Sequence, residues 1–297
     1  MRRILYLTWL KLAWFFRRTF GTRAYAIGWW ADRVLEPFEF EFSSAKFVFW
    51  PPAGRSYCLL PAGIANEPET HQFLARVLRD RLNVSFVDVG ASIGEFAIPF
   101  AQHPAVARVF AFEPHPVSSD ALARSAKLLS RGTLFVRQSA VGSAEGEVHF
   151  DARGHAPTSA STIAAETEGS IAVKMCMLDK VLDIPVDSPL MALLDIEGGE
   201  LEALRGARST ISKHWPLLII EYNATTRRIF SLEELRTELG SNYTIYRMRS
   251  SDGFLDDNLE STWNVVALPS IGVWADLKQS NVCFDRARSK RTETSPI

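Results

Sequence analysis

Residues 86–94 read FVDVGASIG and residues 109–114 read VFAFEP. The first is a short apolar run that carries Asp88 into a glycine turn, Gly90–Gly94, ahead of a helical stretch. The second is another apolar run that ends in an acid, Glu113. Two short apolar strands joined through one helix pair in parallel, so this spacing predicts a βαβ unit. It directs the chain toward the open α/β sheets. There a ligand sits beyond the strand ends, glycines bring backbone N–H groups close to it, and the acid ending the second strand accepts both hydroxyls of a ribose.

A dinucleotide is not the best fit. A pyrophosphate asks for G-x-G-x-x-G before an open helix N-terminus. Here the pattern is D-x-G-x-x-x-G, and Asp88 in the strand suits a cationic amino-acid end better than a phosphate. S-adenosylmethionine (SAM) joins such an end to a ribose and an adenine, so SAM is favoured over NAD. The bland alternative, a strand–glycine–helix turn with no ligand, is common for a lone GxxxG and is disfavoured here by the paired Glu113. The residues expected at the cofactor are Asp88, Val89, Gly90, Ala91, Ser92 and Gly94 from the first turn, then Glu113 and Pro114.

Length and composition agree with one large α/β domain and its appendages: 297 residues, 47% hydrophobic and 23% charged. A net charge of −1 argues against a general nucleic-acid binder. Cys58, Cys176 and Cys283 lack metal-site spacing and fit a reduced, cytoplasmic setting. No apolar run reaches the length of a membrane span.

The N-terminus is basic and aromatic. Arg2, Arg3, Lys11, Arg17, Arg18 and Arg23 precede the first acid, Asp32. Leu5, Trp9, Leu12, Phe16 and Phe20 share one helical face, while Leu7, Leu10 and Trp14 blur the other. A cleaved signal peptide is poorly supported, because Lys11 interrupts the apolar region. Two readings stay open. Residues 1–30 lie peripherally on an anionic membrane surface, or they pack on their own domain or a partner subunit.

The chain divides into this segment (1–35), an antiparallel strand lead-in (36–66), a main domain (67–269) and a C-terminal extension (270–297) whose polar end, Arg286–Ile297, is expected to be disordered. Alternation at Phe38, Phe40 and Phe42 predicts a strand, with others at Lys46–Trp50 and Ser56–Leu60. Asn66 with Glu69, and Ser231 with Glu234, look like capping boxes that open helices to Leu82 and Leu239. One helix is expected from Glu200 to His214, and a loop over 152–170 as a candidate lid. Strands and helices then alternate, and the terminal strands Tyr243–Met248 and Trp263–Leu268 form a hairpin. The expected fold is α/β, the Rossmann-like class I methyltransferase fold. It has a mostly parallel seven-stranded sheet with one antiparallel strand and helices on both faces.

A second acidic turn follows a later buried strand: LLDIEGGE, residues 193–200. It points Asp195 and Glu197 at the same crevice as Gly90, while Glu200 starts a helix, where an acid suits the dipole. A capped helix start without chemistry is the alternative for this turn.

FVDVGASIG, VFAFEPHP, QSAVG, LLDIEGGELEALRGA and LLIIEYN occur in this order. Together they resemble the FkbM family of methyltransferases over about residues 67–269. The resemblance implies SAM-dependent O-methylation of a sugar or polyketide-type hydroxyl, and it brings Ser139 and Ala140 of QSAVG to the cofactor. The family's usual Asn is Ser92 here, its aromatic is Glu95, its Asn after the second acid is His115, and its Lys before the DxEGxE turn is Leu193.

Methyl transfer to an alcohol needs alignment and a base near the oxygen. Asp195 and Glu197 are the candidates, and either could instead hold the SAM amino group. His155 competes as a base, though an exposed loop histidine is the commoner case. Asp195, Glu221 and Asn223 would make an oxygen-rich Mg²⁺ site, which is not favoured, so no metal ligand is assigned. The acceptor expected is a small molecule or glycan, with no nucleic acid and the oligomeric state open. The alternatives are a non-catalytic SAM-binding, membrane-associated interaction protein and, less well supported, an NAD-dependent oxidoreductase.

Overall fold

The structure is a computed structural model. It describes residues 67–151, 163–164, 170–260 and 263–285, the backbone of strands β1 (Phe38–Phe42) and β2 (Ala45–Phe49), and positions 4, 8, 12, 15, 19 and 20. The expected strand at 56–60, Asn66, His155 and the tail beyond 285 lie outside these residues. β1 and β2 form an antiparallel pair.

The main domain runs α1 (Pro68–Leu78), β3 (Val84–Val89), α2 (Ala97–Gln102), β4 (Val106–Phe112), α3 (Pro116–Lys127) and β5 (Leu134–Arg137). Four strands then leave the main sheet: β6 (Ala140–Val141), β7 (Gly146–Asp151), β8 (Ile163–Ala164) and β9 (Ser170–Cys176). The chain returns through α4 (Leu178–Val181), β10 (Leu190–Leu194), α5 (Glu200–Arg205), α6 (Arg208–His214), β11 (Leu217–Glu221), α7 (Leu232–Leu239), β12 (Tyr243–Met248), β13 (Leu255–Asp256) and β14 (Asn264–Pro269).

The main sheet has the order β13-β12-β14-β11-β10-β3-β4-β5. β11, β10, β3, β4 and β5 are mutually parallel, and β14 is inserted antiparallel between β11 and β12. These are the seven strands expected, with two-residue β13 added at the edge. From β3 the chain steps outward to β4 and β5, then crosses back to β10 on the other side of β3. That reversal opens a crevice at the carboxyl ends of β3 and β10, the place where such sheets bind ligands.

Parallel strands covered on both faces read as continuous apolar runs, and these do. Alternate residues feed two cores. Phe86, Met191, Leu193 and Ile219 meet α1 and α2 on one face, while Val87, Val89, Leu194 and Ile220 meet α5 and α7 on the other. Fully buried Trp274 extends the first core past β14, and its indole N–H donates to the Leu190 carbonyl at 2.8 Å.

Three expectations need correction. α1 starts without a capping box: Glu67 is its N-cap in the left-handed region (φ 51), with Pro68 next and no side-chain cap. The single helix over 200–214 is two, α5 and α6, because the chain turns at Gly206. A Cβ at Gly206 would lie 2.0 Å from the Gly142 carbonyl oxygen, so two of the motif glycines meet there. The segment from Ala140 to Cys176 forms a separate four-stranded sheet, β6-β9-β7-β8, and β8 falls within the expected loop over 152–170. The box at Ser231 and Glu234 is formed as expected. Among the described residues no helix is long and apolar enough to cross a membrane.

Candidate active site

Asp88 is the penultimate residue of β3 and only 2% exposed, and its Oδ2 meets no hydrogen-bond donor. Burial pushes this carboxyl well above the usual range; nearby Asp195 raises it further, and an Ala97 backbone hydrogen bond opposes the shift. One residue beyond Val89 the chain reaches Gly90 at φ +88. A Cβ there would lie 1.9 Å from the Asp195 carbonyl oxygen. Only glycine tolerates both the dihedral and the contact. The Asp195 amide donates to the Val89 carbonyl at 3.0 Å, so the β3 and β10 turns are sewn directly together.

The turn's backbone amides face inward. Those of Gly90 and Ala91 donate to the Phe112 carbonyl at 2.9 and 3.0 Å, and that of Gly94 to Ala91 at 2.8 Å. The expectation that the glycines free N–H groups for the ligand is therefore corrected. Polar side chains line the crevice instead. The chain holds Ser92 in the left-handed region (φ 51), buried, with an Oγ that has no hydrogen-bond partner. Asn tolerates this region better than Ser does, a physical reason for Asn at such a position.

Glu113 follows β4 and is 6% exposed. Its Oε2 accepts from the Ser92 amide and its Oε1 from the His115 amide, each at 2.8 Å. Two amides thus fix the carboxylate in place. Pro114 is half-buried beside it. The hydroxyl of buried Ser139 lies within hydrogen-bond distance of the Ala140 and Lys174 carbonyls, at 2.8 and 3.0 Å. Ala140 is buried in β6.

The 193–200 turn brings a third group of acids. Asp195 and Glu197 are half-buried, and Glu197 lies at φ 56. Fully buried Glu200 does more than start α5. Its carboxylate folds back to accept the Ile196 and Gly198 amides at 2.9 Å, which fastens the turn. Burial raises Glu200 to about 7, against the pull of those same amides. Sequence reasoning assigned Glu200 only to the helix; the signal it missed is the third acid of the DIEGGE run.

At the end of β11, Glu221 is 4% exposed, and one carboxylate oxygen from each of Asp195, Glu197 and Glu221 lies within 4.8 Å of the others. Burial first, then Asp195 and Glu197, push Glu221 up to about 10. Asn223 donates to Glu221 Oε1 at 2.6 Å, while its own Oδ1 accepts the Thr225 and Thr226 amides at 2.7 and 3.1 Å. The oxygen cluster is therefore Asp195, Glu197 and Glu221, and Asn223, weighed from the sequence as a less favoured member, orients Glu221 instead.

Strand order and a crevice with acids at the carboxyl ends of β3, β4, β10 and β11 define the Rossmann-like class I methyltransferase fold. Residues 88–248 match the Methyltransferase FkbM domain. The chain belongs to the FkbM methyltransferase family. It is 30% identical over 159 residues to the hexuronic acid methyltransferase AglP of Haloferax volcanii, a match covering 51% of this chain and 63% of that protein. The chain thus spans less than two thirds of that relative. Among solved structures it is similar to an FkbM methyltransferase from Methylobacillus flagellatus, at 22% identity and a TM-score of 0.43, covering 72% and 53% of the two chains. M. jannaschii TYW2, solved with AdoMet, is similar at 12% identity and a TM-score of 0.39, covering 78% and 84%.

Proposed function

We propose that this chain is a SAM-dependent O-methyltransferase acting on a hydroxyl of a sugar or glycan, a hexuronic acid being the first acceptor to try. The observation that carries the reading is Glu113, a carboxylate held rigid by two amides at the mouth of the glycine turn, beside the unpartnered buried atoms Asp88 Oδ2 and Ser92 Oγ. Buried polar atoms without partners are few in native proteins, and a polar ligand is one explanation for them. A ribose meets Glu113, and the ammonium of a methionine end offers Asp88 the cation its burial calls for. The name of the relative AglP supports the choice of acceptor.

SAM, when bound, supplies an electrophilic methyl on a sulfonium. The chain's own residues align and deprotonate the acceptor. The hydroxyl oxygen bonds to the methyl carbon as the carbon–sulfur bond breaks, S-adenosylhomocysteine (SAH) remains, and the hydroxyl proton passes to a carboxylate. Asp195 and Glu197 stand in the turn that closes against Gly90 and are assigned that role. Fixed positions for both matter as much as basicity, because most of the gain comes from alignment.

Radiolabelled methyl transfer from SAM to hexuronate-containing and neutral glycans tests this. Label is expected in one acceptor class, with Asp195→Asn or Glu197→Gln lowering turnover at least about 100-fold. Wild-type turnover in both variants would leave the turn a helix start and nothing more.

A further inference from the structure

We propose that Asp195, Glu197 and Glu221 form a divalent-cation site that receives the acceptor hydroxyl. Three carboxylates from two strand ends converge with ligand oxygens within 4.8 Å of one another. Ligands facing each other across a Mg²⁺, Mn²⁺ or Ca²⁺ ion are roughly 4–5 Å apart, so small side-chain rotations suffice to close the shell. Acid clusters alone are common on proteins. Here a second observation points to an ion: Glu221 Oε2 is buried, in a side chain 4% exposed, with no donor from outside the cluster, and its carboxyl lies against that of Asp195.

The supporting shell also fits. Asn223 holds Glu221 by its other oxygen, leaving Oε2 to face the cluster. Glu200 ties the amides of Ile196 and Gly198, on either side of Glu197, so the turn presents Asp195 and Glu197 in one geometry. Outer partners of this kind orient metal ligands. An all-oxygen set selects a hard cation, and sugar hydroxyls and water complete its shell.

The catalytic half of this proposal rests on the methyl-transfer reading; binding of the cation does not. A hydroxyl on the cation loses its proton more easily. That proton passes to a carboxylate oxygen of the cluster that does not touch the ion, and the oxygen then takes the methyl as above.

Mn²⁺ is titrated into the full chain, with free Mn²⁺ followed by electron paramagnetic resonance and Mg²⁺ added as competitor. One Mn²⁺ per chain is expected, tighter than about 1 mM, with Glu221→Gln weakening it at least about tenfold. Glu233→Gln, at an exposed position on α7, leaves binding unchanged. Glu221→Gln replaces a carboxyl that burial and its two acidic neighbours hold protonated without metal, so its metal-free melting temperature is expected at or above wild type; Asp195→Asn is the second variant. No binding in the wild type, or equal binding in both cluster variants, overturns the site. Bound Mn²⁺ with turnover indifferent to EDTA overturns its catalytic half and leaves methyl transfer standing. Bound Mn²⁺ without SAH binding leaves the site standing and removes the methyl-transfer reading.

Discussion

Gly90 carries two constraints at once, and they separate experimentally. Its φ of +88 excludes most side chains, and the Asp195 carbonyl occupies the space a Cβ would need. From the sequence, a glycine here is expected to bring backbone N–H groups close to a ligand. The structure uses it to let the β3 and β10 turns touch. Gly90→Ala is therefore expected to destabilise the protein without any ligand, by on the order of 3 kcal/mol. Denaturant melts of the apo protein check this, and an unchanged midpoint with weakened SAH binding would restore the earlier explanation. Glu113 has a similar double duty. Glu113→Ala removes the ribose acceptor and strands the amides of Ser92 and His115. SAH affinity should fall about 10- to 100-fold, the value of charge-assisted bonds of 1.5–3 kcal/mol. A melting temperature a few degrees lower should accompany it. Residue identities in the two acid turns were legible in the sequence, because strand-end acids and glycines carry their chemistry openly. The partners of Glu200 and Asn223 were not, since a carboxylate folding back on its own turn leaves no spacing rule to read.

At the scale of elements, local signals worked where they act locally. Ser231 and Glu234 cap α7 reciprocally, as their spacing says. The start of α1 was misread because Glu67 takes the left-handed cap position and bonds Thr70 and Asn264, the latter a residue of distant β14. The α5–α6 break and the second sheet share that cause: both depend on pairings distant in sequence, such as Gly206 with Gly142. α1 also carries a titratable group in its packing. His71 stacks on Phe96 with ring centroids 4.3 Å apart, and burial lowers it to about 4 from an ordinary 6.5. Between those values the unfolded chain binds a proton that the folded chain refuses, so stability is complete above about pH 6.5 and declines as pH falls toward 4. The share due to His71 between pH 7 and 5 is about 2 kcal/mol. Urea melts of wild type and His71→Leu at both pH values measure it; parallel pH slopes would show that α1 docks without this cost.

For the whole molecule, the parallel sheet and its crevice were legible from the order of motifs alone, since short apolar runs alternating with helices leave little choice of architecture. The N-terminal segment stands apart from that order. Ile4, Leu12, Phe15 and Phe20 are exposed there, at positions that are helical, among arginines that no acid precedes before Asp32. This composition fits an anionic lipid surface. Removing residues 1–35 is expected to leave SAH affinity unchanged and to reduce co-sedimentation with vesicles containing phosphatidylserine. Equal sedimentation of both forms would assign the segment to protein packing instead.

SAM binding in the crevice at the ends of β3, β4 and β10 through Glu113 is the step on which the methyl-transfer reading depends. Isothermal titration of the full chain with SAH, and with NAD in parallel, tests it without knowledge of the acceptor. One SAH site per chain is expected, with no heat from NAD and a loss of about 10- to 100-fold in folded Glu113→Ala. A folded wild-type protein that ignores SAH, or binds it equally well in the variant, would contradict it.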